Sequence, residues 1–247
     1  MPSYTAEELM ACVMARAIGD GERVGVGVNS PIPAAAVLLA SRTHAPRLRY
    51  WLRGVEGTTP FVGSKEFFDF AQSGKLDVFF LSGVQIDASA NLNLHQLGED
   101  PERPRRRFPG AFGSAVLYYV VPRVIVFRTE HSPRVFVPHV DFVTAGGETE
   151  PGVPRTGGPS LVVTPRAVLA YDRESGRLQL ASYHSGESVE SVQAQTGFPL
   201  AVRDDVHETP PPAADELRVL RAEVYPRMAA RYPAFTARQA AGSGSRA

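Results

Sequence analysis

The run LDVFFLS (Leu76–Ser82) carries apolar side chains on both of its alternating faces. A strand of that kind cannot turn either face to water, so it belongs in a sheet covered on both sides. Two shorter strand-like runs, RVGVGV and LRYWL, precede it, and helix-like segments separate all three. TAEELMACVMARAI opens with Thr5 three residues before Glu8, the spacing of a capping box, and places Leu9, Val13 and Ala17 on one helical face. NSPIPAAAVLLASRTH reads as a helix capped by Asn29 or Ser30 and running towards His44, with Pro46 as its stop. SKEFFDFAQSG reads as a short helix with Ser64 as cap and Gly74 at its end.

Later strands are expected at AVLYYVVP, RVIVFRT, SLVVTP, AVLAYD and LQLASYH, with DRESG as a hairpin turn. ADELRVLRAEVYPRMAARYP predicts a helix broken near Pro226, and ARQAAGSGSRA a disordered tail. Together these predict an α/β fold: a single domain over residues 1–235 with a mixed, mainly parallel sheet flanked by helices, and a tail over 236–247.

Composition narrows the function. The 247 residues are 43% hydrophobic and 21% charged, as in a globular protein. Lys plus Arg equal Asp plus Glu at 26 each, so no overall field favours nucleic acid or an anionic membrane. The N-terminus lacks the pattern of a secretory signal, and no apolar run approaches the roughly 20 residues that span a bilayer. A cytoplasmic protein is expected. One cysteine, Cys12, allows no intramolecular disulfide and reads as a small buried residue.

Generic motifs say little. RVGVGVNSP has a G-x-G after a strand but lacks the third glycine at dinucleotide spacing. The six histidines, His95 and His131 among them, show no metal-ligand pairing and read as surface or satisfied residues. Neither a G-x-S-x-G elbow nor a phosphate-binding P-loop is present. RPRRRFPGAFGSA is richer: Arg103, Arg105, Arg106 and Arg107 lead into the small-residue loop Gly110–Ala115. Such a loop either lets backbone N–H groups hold an anion or oxyanion, or is a solvated basic turn followed by a tight bend.

GVQIDASANLN (Gly83–Asn93) resembles the GAQID-x-x-GN-x-N segment of the second (beta) subunits of family I CoA-transferases, of the glutaconate CoA-transferase type. Further segments follow in the family's order. RFPGAFGSA resembles its RF-x-GSGGA loop and HVDFVTAGG its K-x-DYVTSPG stretch. SLVVTPRAVLAYDRESGRLQLASYH, and TGFPLAV followed by LRVLRAEVYP, resemble its later segments. The similarity runs from about Tyr4 to Tyr225.

The resemblance implies a subunit that works with a homologous alpha subunit, as a heterodimer or heterotetramer, on an acyl-CoA thioester. It implies no metal and no prosthetic group, coenzyme A being the substrate's handle. It places Gly110, Ala111, Phe112 and Gly113 at substrate through their backbone. Gln85 and Asn91 are implied either to orient the acyl group or to tie their own loop by Asx-type bonds. Arg53 is implied to pair with a carboxylate substrate or to be a surface charge.

In the family a glutamate after the second strand attacks the thioester, forming a mixed anhydride and then a glutamyl-CoA thioester. Here RYWLRGVEG puts Leu52 in that place. Glu56, four residues on, is the catalytic candidate under a shifted register. The Gly54–Gly83 connection is also shorter than the family's. Relatives without the glutamate resemble a ring-opening hydrolase or a decarboxylase. Three readings therefore stand: CoA transfer; hydrolysis, C–C cleavage or decarboxylation; and a non-catalytic subunit that supports its partner.

Overall fold

A computed structural model describes residues 3–55, 58–150 and 152–244. Its contacts cluster into two compact units, one taking both ends of the chain (to Phe61 and from Pro210), the other Val62–Thr209.

The first unit opens with α1 (Ala6–Arg16), whose capping box forms as expected: Thr5 Oγ1 accepts from Glu8 N at 3.1 Å, and Glu8 Oε2 accepts from Thr5 N at 2.9 Å. β1 (Arg23–Val26) and β2 (Arg49–Leu52) pair in parallel, joined through α2 (Pro31–Arg42). Ile32 to Ala40 are all buried, since this helix is apolar all round. Ser30 stands at its N-cap but makes no side-chain capping bond. Cys12 is buried, and burial pushes its thiol up to about 12, which fits a small core residue.

In the second unit α3 (Ser64–Gln72) begins one residue earlier than expected, with Gly63 rather than Ser64 at the N-cap. The doubly apolar run forms β3 (Val78–Leu81), buried at every position. Two small antiparallel ribbons follow, β4 (Gln85–Ile86) with β5 (Leu92–Asn93), and β6 (Gln96–Leu97) with β7 (Arg106–Arg107).

AVLYYVVP, expected as a strand, is instead a helix, α4 (Ser114–Val120). Leu117, Tyr118 and Val121 are buried at i, i+1 and i+4, so tertiary burial outweighs the strand preference of the valines and tyrosines. β8 (Arg123–Phe127), β9 (Pro159–Val163), β10 (Ala167–Asp172) and β11 (Arg177–Tyr183) occupy the expected runs. After α5 (Val189–Ala194) comes β12 (Ala201–Glu208), which the sequence does not suggest. This edge strand is largely exposed and carries charged residues, so it lacks the apolar alternation that marks a strand.

The unit's strands run in the order β12-β11-β10-β9-β8-β3. β3–β8, β8–β9 and β11–β12 are parallel, and the two pairs made by β10 are antiparallel. The class is as expected: α/β, with a mixed, mainly parallel sheet and flanking helices.

The chain returns to the first unit with α6 (Ala214–Val219), a π-helical turn at Leu220–Val224 and α7 (Tyr225–Met228). The break expected near Pro226 is absent: a wide turn before the proline absorbs its missing N–H and keeps the helix continuous. The expected tail is also helical as far as described, in α8 (Pro233–Gly244). Gln239 is buried there and accepts from Thr5 Oγ1 at 2.7 Å, while its amide donates to Glu7. Glu8 is fully buried and takes two charged bonds at 2.8 Å from Arg221, so α1 is fastened to both C-terminal elements. Among the described residues no helix is long and apolar enough to cross a membrane.

Candidate active site

β3 delivers the chain into a knot of polar side chains. Asp87 organises the β4–β5 turn: its Oδ1 accepts from Ser89 N at 3.1 Å and Asn91 N at 3.0 Å, and its Oδ2 from Asn91 Nδ2 at 3.0 Å. These bonds hold Ala90 at φ +58°, in the left-handed region. Asn91 then reaches across the turn, its Oδ1 accepting from Gly147 N at 3.0 Å.

Gln85 is buried, with both ends of its amide engaged. Its Nε2 donates to Asp141 Oδ1 at 3.0 Å; its Oε1 accepts from Asn93 Nδ2 at 2.6 Å and Asp141 N at 3.0 Å. Asn93, fully buried, also donates to Gln96 O and accepts from His95 N. Asp141 Oδ2 accepts from Gly98 N at 2.7 Å, which draws the β6–β7 ribbon into the same network.

The Gly110–Gly113 loop grows out of that ribbon. Phe108 N donates to His95 O at 2.8 Å, and His95 Nδ1 bonds Thr144 Oγ1 at 2.7 Å. The far edge of the His95 ring lies against Gly110, where a Cβ would stand 3.3 Å from Nε2. His95 is thus a satisfied histidine that also supports the loop, and its only signal in the sequence is its place between two family-like segments. Gly110 has φ +96° and Phe112 φ +52°, so two of the four loop residues are left-handed. Gly113 has no room for a side chain, since a Cβ there would fall 2.0 Å from the Phe68 ring. Phe112 is 79% exposed, its ring 5.5 Å from Phe68. The Ala111 carbonyl accepts from Ser114 N and Oγ, which closes the loop onto α4.

Arg155 straps the loop's support together. Its guanidinium donates to the carbonyls of Gly146, Gly147, Gly157 and Tyr118 at 2.7–2.8 Å. The network thus joins Gln85, Asn91, His95 and the Gly110–Gly113 loop within the second unit.

The remaining candidates lie in the first unit. Leu52 ends β2 and is buried, opposite Val26 in the parallel register. The chain turns there at once: Val55 N donates to Leu52 O, Thr58 Oγ1 bonds the carbonyls of Leu52 and Val55, and Gly54 takes φ +79°. Arg53 follows Leu52, with its N donating to Val26 O, and burial lowers its pKa. Glu56 lies outside the described residues.

The sequence pattern described as coenzyme A transferase matches residues 32–195. The chain is 30% identical to the second of the two subunit types of glutaconate CoA-transferase from Acidaminococcus fermentans, across 91% of this chain and 94% of that one. The crystal structure of the same organism's glutaconate coenzyme A-transferase superimposes with a TM-score of 0.81 at 26% identity, covering 92% and 97% of the two chains. The decarboxylase AibA/AibB superimposes with a TM-score of 0.77 at 26% identity, covering 89% and 95%. The cholesterol ring-cleaving hydrolase IpdB subunit of Rhodococcus jostii is 29% identical across 70% of this chain and 68% of its own.

Proposed function

The chain belongs to the coenzyme A transferase family, and from that premise we propose that it is the beta subunit of a heteromeric enzyme acting on an acyl-CoA thioester. The observation that carries this reading is the extent of the likeness to the second glutaconate CoA-transferase chain, nearly end to end in both. A homologous alpha subunit is the partner. In this reading the Gly110–Gly113 loop offers its backbone to the thioester. Its two left-handed residues and its side-chain-free Gly113 support a backbone held open to close approach. Gln85, Asn91 and His95 act on that loop by holding it.

A second reading has its own support. The position that the family fills with a nucleophilic glutamate holds Leu52, a buried hydrocarbon with no lone pair to attack a carbonyl. Without Glu56 as substitute, the reaction is hydrolysis, C–C cleavage or decarboxylation, and the similarity to a decarboxylase and a ring-cleaving hydrolase supports it.

Trapping separates the two. The chain, co-produced with its alpha subunit, is incubated with acyl-CoA and then borohydride, which reduces an enzyme thioester. A reduced residue at position 56, lost in Glu56→Gln together with turnover, supports transfer. Turnover that persists in Glu56→Gln without an adduct supports the second reading. No turnover of any acyl-CoA would leave a subunit without catalytic function.

A further inference from the structure

A cleft of about 570 Å³ opens in the second unit beside Gln85, and arginine dominates its charge. Arg105 and Arg106 enter from the β6–β7 arm, Arg128 from the residue after β8, and Arg134 from the segment beyond. Against these four guanidinium groups stands one carboxylate, Glu130. Arg134 takes both Glu130 oxygens at 2.8 and 2.9 Å, so that pair is neutral and three cations remain.

Arg128 is placed differently. Its nearest Glu130 oxygen is 3.9 Å away, and its buried Nε has no hydrogen-bond partner. A buried N–H of a charged group left unpaired is costly, and such groups are normally satisfied by a ligand, ion or water. Val84, Val135 and Val137 supply an apolar wall, and Arg106 lies over the Phe108 ring at 5.2 Å. Val84 follows the end of β3 and Arg128 the end of β8, two adjacent parallel strands. The carboxyl ends of such strands are where open α/β sheets receive ligands.

We propose that this cleft is an oxyanion-binding site in which Arg128 receives the carboxylate or phosphate of a ligand whose uncharged body rests on the valine wall. A guanidinium offers the planar fork that both groups accept, and in a chain of zero formal net charge a local excess of three positive charges marks the place. The site extends the acyl-CoA reading but does not depend on it, because its test reads binding and not turnover.

The assay is isothermal titration of the complex of this chain with its alpha subunit, using two probes. Glutarate presents a carboxylate on an apolar body, and adenosine 3′,5′-bisphosphate presents phosphates. We expect one of them to bind, and to bind roughly tenfold or more weakly to Arg128→Met, the loss of one charge-assisted bond. Binding of glutarate assigns a carboxylate-bearing ligand; binding of the bisphosphate assigns a phosphate-bearing one. If Arg128→Met does not fold, the exposed pair Arg105→Gln and Arg106→Gln replaces it, with several-fold weakening expected. Absence of binding by both probes, or equal binding to wild type and variants, overturns the proposal.

Discussion

Gly147 lies so close to Ser89 that a Cβ on Gly147 would stand 1.8 Å from the Ser89 carbonyl oxygen. The contact closes the turn that Asp87 organises, and Asn91 seals it by accepting from Gly147 N. Gly147→Ala must therefore displace backbone and not a movable side chain. We expect a loss of about 1–3 kcal/mol in urea unfolding.

Asn91→Ala distinguishes the two roles open to this residue. As a tie it leaves Gly147 N–H and Asp87 each short of a partner and lowers stability by about 1–3 kcal/mol. As a group that orients substrate it would raise KM at unchanged stability. The first outcome is expected, from unfolding curves and acyl-CoA kinetics measured on the same preparations.

Arg155→Lys tests the strap. A guanidinium serves four carbonyls at fixed angles, whereas an ammonium has three donors on a flexible stem. The charge survives but the geometry does not. An unfolding loss on the order of 2 kcal/mol is expected, with faster hydrogen exchange at Gly146 and Gly147. Unchanged exchange there would show that the strap is dispensable.

The first half of the fold was legible because its signals are local: the Thr5–Glu8 capping box and the buried VFFL strand each carry their structure in their own residues. What stayed hidden depends on distant partners. Val116 to Val121 have strand propensity but fold as a helix against a core that their own pattern does not reveal. β12 shows no apolar face because it is an edge, and α8 orders because Gln239 meets Thr5, 234 residues away. In the candidate site the family-like segments were legible one by one, but the knot joining Gln85, Asn93 and Asp141 was not. Those bonds link residues up to 56 positions apart.

The acid limb of stability should report His131. Its ring is buried between the Thr164 and Thr196 hydroxyls and stacked on Phe136 at 4.1 Å, and burial lowers its pKa from 6.5 to about 4. The unfolded chain therefore binds a proton that the folded one refuses. Stability is full above about pH 6.5 and falls as the pH drops towards 4, by about 3 kcal/mol for this residue. Burial lowers His184 in the same direction, so its loss adds. Unfolding free energies across pH 4–7 should show this slope, and His131→Gln should flatten it.

Phe112→Gly asks whether the loop touches substrate without disturbing the fold. The family's loop carries glycine where this chain places an aromatic at φ +52°. Glycine relieves a left-handed conformation worth about 1–2 kcal/mol. It gives up about 0.5–1 kcal/mol through greater freedom of the unfolded chain and about 0.5–1.5 kcal/mol of contact with Phe68. These terms nearly cancel, and the ring is 79% exposed, so little burial is lost. Stability should stay within about 1 kcal/mol of wild type, whereas Phe112→Ala keeps the strain and loses the contact. Any change in kcat/KM for Phe112→Gly then reports on the loop itself. Kinetics unchanged for every acyl-CoA turned over would remove Phe112 from the substrate's surroundings.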